Sequence, residues 1–208
     1  MAFLESKYSN QVSAMRDADL LAPAQVTGLD FTVEQGRVNL SWTAVTTNAD
    51  SSELSDLSGY KIYRKANAGD AFSLVGSVAG DELTFVDTTA KDGASFIYAV
   101  SAFDGEPTPN EGEKSADLGV KTVPSVPTDL SAAATERSIN LNWLSVKSEA
   151  DLKLNENLAG YNVYRSEVDG SGYEKIGVAA PEETTFEDSS VVGGTTYFYV
   201  ITAFDNSL

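Results

Sequence analysis

The chain has 208 residues, a formal net charge of −17, and neither histidine nor cysteine. These absences exclude Ser-His-Asp and Cys-His catalytic units, disulfides, and zinc sites built from imidazole or thiolate ligands. The negative charge disfavours nucleic-acid phosphates and anionic membranes, which are bound by clustered Lys and Arg. We therefore expect a non-enzymatic protein that neither binds nucleic acid nor inserts into a membrane.

The first predicted element is a strand in residues 1–14, where the sequence ESKYSNQVSA alternates in the way a half-buried strand does. A linker at residues 15–22 follows it. The N-terminus lacks the basic start and apolar core of a signal peptide, and no run approaches the ~20 apolar residues of a membrane helix. Export by another route and removal of a longer leader or parent both remain open. The lack of cysteine suits an extracellular, cell-surface or virion location.

The rest of the chain consists of two copies of one pattern. The first copy contains VNLSW, LSGYKIYRK, TFVDT and FIYAVSAFD, and the second contains INLNW, LAGYNVYRS, TFEDS and YFYVITAFD. Equivalent residues are separated by 101 positions, as in Trp42 and Trp143. Pro23 and Pro124 have the same separation and begin the copies. This constant offset predicts two domains, at 23–123 and 124–208.

Within each copy the apolar period is two. Val38, Leu40 and Trp42 alternate with polar residues, and Gly-containing turns such as Asp92-Gly93 separate the short runs. Seven short strands in about 100 residues are typical of a β-sandwich. The predicted fold class is therefore all-β.

Both copies resemble bacterial fibronectin type III domains in the Trp of strand B, the Gly-Tyr-x-x-Tyr-Arg of strand C, the Thr-Phe-x-Asp that ends strand E, and the Tyr-x-Tyr-x-[Val/Ile]-x-Ala pattern of strand F. The resemblance implies two tandem immunoglobulin-like sandwiches, with strand A beginning near Leu29 and Leu130. It implies core positions for Trp42 and Trp143 rather than sugar-stacking surfaces. It also implies that Arg64 and Arg165 lie along strand C and pair with carboxylates. The family's tyrosine-corner hydroxyl is present in Tyr197 of the second copy, but its first-copy equivalent is Phe96.

The second copy lacks its own strand G. The first copy has one, in which Leu118, Val120 and Thr122 alternate, whereas the second stops at AFDNSL, just after strand F. Residues 5–14 resemble the family's strand G, and Glu5, Ser9 and Val12 align with Glu111, Ser115 and Leu118. Three interpretations are open: a fragment of a longer array, a chain whose first strand completes a neighbouring copy, or a strand that folds back on its own second domain.

Strand exchange between copies would involve residues from both ends of the chain. The predicted donor residues are Glu5, Tyr8, Val12 and Ala14, with Val12 and Ala14 facing inward. The predicted acceptor residues are Tyr197, Tyr199, Ile201 and Ala203. The expected partners are other copies of the chain or neighbouring domains of the same array.

The longest inserts are two acidic B–C loops. Their carboxylates are Asp50, Glu53 and Asp56 in the first copy and Glu149, Asp151 and Glu156 in the second. Grouped carboxylate oxygens are ligands that calcium accepts, but the spacing matches no EF-hand loop. We expect solvated surface here, with calcium as the alternative and no other cofactor.

Two functions remain open for such a chain. The first is a structural and interaction module of an extracellular or virion surface assembly, such as a filament, rod or tail appendage, joined by strand pairing. The alternative is a spacer or weak carbohydrate- or protein-binding region of a larger secreted bacterial enzyme or adhesin. A row of exposed aromatic side chains would favour carbohydrate binding, and a charged face without one would favour the spacer.

Overall fold

The computed structural model describes residues 20–146 and 158–206, and these ranges contain thirteen β-strands and no helix. Seven strands lie in the first half: β1 (Asp30–Glu34), β2 (Arg37–Ser41), β3 (Leu57–Lys65), β4 (Ser73–Ala79), β5 (Thr84–Asp87), β6 (Ser95–Asp104) and β7 (Leu118–Lys121). Six lie in the second: β8 (Thr128–Ala134), β9 (Ile139–Leu144), β10 (Leu158–Ser166), β11 (Glu174–Ala179), β12 (Thr185–Asp188) and β13 (Phe198–Asp205). No helix in the described ranges could cross a membrane.

The strands form four antiparallel sheets. Strands β1–β2–β5 and β4–β3–β6–β7 make one pair of sheets, which we call the first unit. Strands β8–β9–β12 and β11–β10–β13 make the second pair, the second unit. Each unit has its own cluster of buried apolar side chains. The predicted all-β sandwich fold is therefore confirmed.

Each core is organised around a Trp–Tyr pair. Trp42 and Trp143 are only 5% and 3% exposed. Each indole contacts a tyrosine of the facing sheet, Tyr60 or Tyr161, with ring centroids 5.3 Å apart in both units. Aromatic pairs of this geometry add stabilisation beyond the apolar area they bury. The structure confirms that both tryptophans are core residues.

The two units meet end to end. The chain approaches the first unit where Ala49 N donates to Ala22 O, and leaves it at the opposite end, where Gly93 N donates to Val123 O. At that second end Lys121 Nζ lies 2.9 Å from Asp205 Oδ2 and donates to Asn206 O. The end of β13 therefore lies beside the end of β7.

Candidate functional site

The most distinctive site is the outer edge of β13. In the first unit β6 pairs on one side with β3 and on the other with β7. Within residues 20–146 and 158–206, the equivalent β13 pairs only with β10. An edge strand presents unpaired N–H and C=O groups to any strand that can align with it.

The core beneath this edge is less covered than in the first unit. Tyr98 and Ala102 are fully buried in β6, whereas their equivalents Tyr199 and Ala203 are only partly buried. Strand β8 is exposed along its whole length, and Leu130 is 36% exposed. Among the described residues, no strand covers the second sandwich on the side where the first unit has β7.

The four predicted acceptor residues lie together, in β13 and directly before it. Ile201 is buried in the second core, and Tyr199 and Ala203 pack against it. Tyr197 directly precedes β13, and its hydroxyl accepts a hydrogen bond from Val192 N at 3.1 Å. This bond provides the expected tyrosine-corner hydroxyl contact of the second unit. An added strand would pair with the backbone of these residues.

The first unit shows which backbone groups such a strand would meet. Val100 O accepts from Ser115 N at 2.8 Å, and Val100 N donates to Ser115 Oγ at 3.1 Å. Val100 is equivalent to Ile201 under the 101-position offset. The backbone groups of Ile201 therefore point towards the open edge.

A glutamate anchors the final segment of the first unit. Glu111 accepts hydrogen bonds from Lys61 Nζ at 2.6 Å, Tyr63 OH at 2.5 Å and Ser101 Oγ at 2.6 Å. Burial acts to raise the pKa of Glu111, but these three donors outweigh it and lower the pKa to about 2. Burial and the nearby carboxylate raise the pKa of Tyr63 to about 12. This carboxylate is therefore held ionised on the sheet surface.

The second unit has a similar set of polar groups, but no glutamate among the described residues takes the place of Glu111. The residues equivalent to Lys61, Tyr63 and Ser101 are Asn162, Tyr164 and Thr202. Asn162 Oδ1 is buried and has no hydrogen-bond partner among the described residues. Buried polar atoms without partners are rare because desolvating them is costly. This set of polar side chains was not predicted from the sequence. The 101-position offset identifies it only once Glu111 is known to bind the equivalent side chains in the first unit.

The structure confirms the expectation that Arg64 and Arg165 pair with carboxylates. Arg64 Nη1 lies 2.6 Å from Asp87 Oδ2, and Arg165 Nη1 lies 2.8 Å from Asp188 Oδ2. Burial acts to raise the pKa of both aspartates, but their hydrogen bonds, chiefly from residues two positions later, lower it. Both arginines therefore have a structural role.

The acidic loops show no metal centre in the described ranges. Asp50 Oδ1 accepts from Ser52 N and Ser52 Oγ, which lowers the pKa of Asp50. Glu53 is exposed and Asp56 is half-buried. No group of three carboxylates in the described ranges could hold an ion. Glu149, Asp151 and Glu156 lie outside these ranges, as do the predicted donors Glu5, Tyr8, Val12 and Ala14.

A cleft of about 1010 Å³ lies where the two units meet. Its lining includes Phe31, Phe96 and Val120 from the first unit, Pro124 at the joint, and Asp205 from the second. The Lys121–Asp205 ion pair lies at this cleft. The cleft thus belongs to the joint between the units.

Comparison with known proteins finds relatives among bacterial glycosidases. The chain is 30% identical over 196 residues to exoglucanase B of Cellulomonas fimi, a match that covers 90% of this chain and 16% of that protein. It is 33% identical over 140 residues to an amylopullulanase of Thermoanaerobacterium saccharolyticum, covering 60% of this chain and 10% of that protein. The chain therefore spans less than a fifth of either relative.

Among solved structures, the chain is similar to chicken CNTN1 FN1–FN3 domains, with a TM-score of 0.42 and 15% identity over 89% of this chain and 63% of that one. No family model matches the chain.

Proposed function

We propose that the chain is a non-catalytic spacer region, built of two bacterial-type fibronectin type III domains, of a larger extracellular protein that degrades polysaccharides. The observation that carries this proposal is the match to exoglucanase B, which covers 90% of this chain but 16% of that protein. Such a segment is an accessory region of a large protein. Both relatives are bacterial and named as enzymes, which favours this role over a virion or surface filament.

The arrangement of the units supports a spacer. Each unit has its own core, so neither unit needs the other to bury its apolar side chains. They meet end to end at the Lys121–Asp205 ion pair, which gives the chain length rather than bulk. An elongated, strongly acidic rod stays soluble and keeps the regions at its two ends apart.

The surface supports spacing over carbohydrate binding. None of the Phe, Tyr or Trp side chains in residues 20–146 and 158–206 is exposed. Sugar rings are bound by stacking on exposed aromatic faces, whereas the aromatic side chains in these ranges are buried or half-buried.

Affinity electrophoresis in gels containing soluble starch, pullulan or hydroxyethyl cellulose tests this function. We expect no retardation in any gel and no release of reducing sugars from the same polymers. Small-angle scattering of dilute protein should give an elongated particle. Retardation by one polymer would instead assign the chain a binding role, and sugar release would contradict the non-catalytic role.

A further inference from the structure

Two connections join the units, and they reach different sheets of the second unit. The chain runs from the end of β7 into β8, which belongs to the sheet β8–β9–β12. The Lys121–Asp205 ion pair runs from the same end of β7 to the end of β13, which belongs to the other sheet. We propose that this ion pair is an electrostatic latch that sets the angle between the units, so that salt controls how far apart the chain holds its two ends.

The chain connection is short and stiff. Six residues, TVPSVP, separate β7 from β8. The first two stay on the first unit, because Thr122 Oγ1 donates to Lys91 O and Gly93 N donates to Val123 O. Two of the remaining four are prolines, which fix their own φ and restrict the residue before them. The second unit can therefore rotate only about a short stretch of chain.

Apolar packing does not fix the angle between the units. In the described ranges, each buried apolar cluster draws all its members from one unit. The joint instead contains the cleft of about 1010 Å³, whose lining includes Phe31, Phe96 and Val120 of the first unit. A change of angle would therefore disrupt neither core. This leaves the angle to the stiff linker and to the polar contact across the joint.

Lys121 is well placed to make that polar contact. Its Nζ lies 2.9 Å from Asp205 Oδ2 and donates to Asn206 O at 3.2 Å. The two side chains of this ion pair are 20% and 17% exposed, whereas those of the Arg37–Glu34 pair are 51% and 59% exposed. Charges sheltered from water attract each other more strongly. Because the linker is short, the two groups stay close even when the pair is broken, and the pair re-forms readily.

The charge of the two units makes the joint sensitive to salt. Acidic residues outnumber basic ones in both units, so the units repel each other, and Lys121 places a positive charge between them. The ion pair acts at 2.9 Å, whereas the repelling charges are spread over both units, so the attraction dominates at low salt. The screening length falls from ~30 Å at 0.01 M salt to ~3 Å at 1 M, which weakens both forces. Low salt therefore favours one angle, and high salt allows a range of angles.

A distance measurement between two spin labels tests the latch, and the chain suits labelling because it contains no cysteine. Ser55→Cys and Ser171→Cys place the labels at exposed sites near the outer ends of the first and second units. Strands β6 and β13 have 10 and 8 residues, so the labels are about 60 Å apart in a straight chain, at ~3.3 Å per residue. Pulsed electron paramagnetic resonance gives the distribution of this distance at about 0.01 M and 1 M NaCl.

We expect the parent to give a narrow distribution at low salt that broadens at high salt. Lys121→Met and Asp205→Asn should each give the broad distribution already at low salt, and the two together should broaden it no further. The exchanged pair Lys121→Asp, Asp205→Lys should restore the narrow distribution. Arg37→Met is the matched control, because it removes one positive charge from a pair that lies within the first unit. Circular dichroism verifies that each variant is folded.

Four results would overturn the proposal. A parent distribution that salt leaves unchanged would exclude control by salt. A parent as broad at low salt as its variants would mean that the pair does not hold the joint. A Lys121→Met distribution as narrow as that of the parent would mean that the linker alone sets the angle. Broadening in the single variants without recovery in the exchanged pair would mean that Lys121 acts through Asn206 O.

The latch is a property of the joint itself, and only its use in spacing rests on the proposed function. Gel retardation and sugar release test the proposed function without reference to the angle between the units. The spin-label distances test the angle without reference to any polysaccharide. The latch and the spacer role can therefore be contradicted separately.

Discussion

Asp87 shows how a single buried carboxylate holds the two sheets of a sandwich together. Asp87 lies at the end of β5 and is 2% exposed. Its Oδ2 accepts from Arg64 of β3 at 2.6 Å and from Tyr98 of β6 at 2.8 Å, so the contact joins one sheet to the other. A buried charge is tolerated only when it is paired and hydrogen-bonded. Asp188 makes the same contacts with Arg165 and Tyr199, so the second unit keeps this link.

Truncating either core tryptophan should be severe. We expect Trp42→Ala and Trp143→Ala each to cost about 3–5 kcal/mol of unfolding free energy, the usual range for an aromatic removed from a packed core. Thermal unfolding followed by circular dichroism measures this. Tyr173→Ala, which removes an aromatic outside the buried core, is the control. A tryptophan variant that melts like the parent would mean that its indole does not fill the core.

Glu111 should make the first unit sensitive to acid. The pKa of this carboxyl is lowered to about 2 from 4.5, so its stabilising effect is complete above pH 4.5 and is lost as pH falls towards 2. Glu111→Gln should lower the stability at pH 7 and flatten its decline between pH 4.5 and 2. Urea unfolding across this range measures both effects, with the exposed Glu82→Gln as control. An unchanged pH slope in Glu111→Gln would contradict the assigned role.

At the scale of single strands, two glycines leave the space into which aromatic rings pack. Gly76 in β4 lies under the ring of Phe85, and Gly177 in β11 lies under Phe186, so a Cβ at either position would overlap the ring. We expect Gly76→Ala and Gly177→Ala to cost about 1–3 kcal/mol each through overpacking. Gly119→Ala is the matched control, because nothing lies within 4 Å of its Cβ position. Equal stability of all three variants in urea would mean that the rings move aside freely.

The sequence predicted most of the strands because their side chains alternate and the copies share one offset. Trp42, Trp143, Arg64 and Arg165 lie where the resemblance placed them, since each belongs to a motif within a single strand. The polar groups around Glu111 were not predicted. They come from two separate strands, β3 and β6, and only the fold brings Lys61 and Ser101 to one carboxylate. The exposure of Leu130 was also not predicted, since it depends on how the strands pack and not on the alternation within one strand.

At the scale of the whole molecule, the two units differ in how completely they are covered. The first has four strands in its larger sheet, and the second has three among the described residues. Val100 is fully buried, whereas Ile201 is 8% exposed and the neighbouring side chains are more open. Less buried apolar surface means less stabilisation. The second unit should therefore unfold first.

This difference leads to a prediction about thermal unfolding. Calorimetry of the chain should show two transitions, because each unit has its own core, and Trp143→Ala identifies which one belongs to the second unit. We expect Trp143→Ala to shift the transition at lower temperature, because less apolar surface is buried in the second unit among the described residues. Trp42→Ala should shift the transition at higher temperature and is the matched control. A lower transition that moves in Trp42→Ala but not in Trp143→Ala would contradict this order.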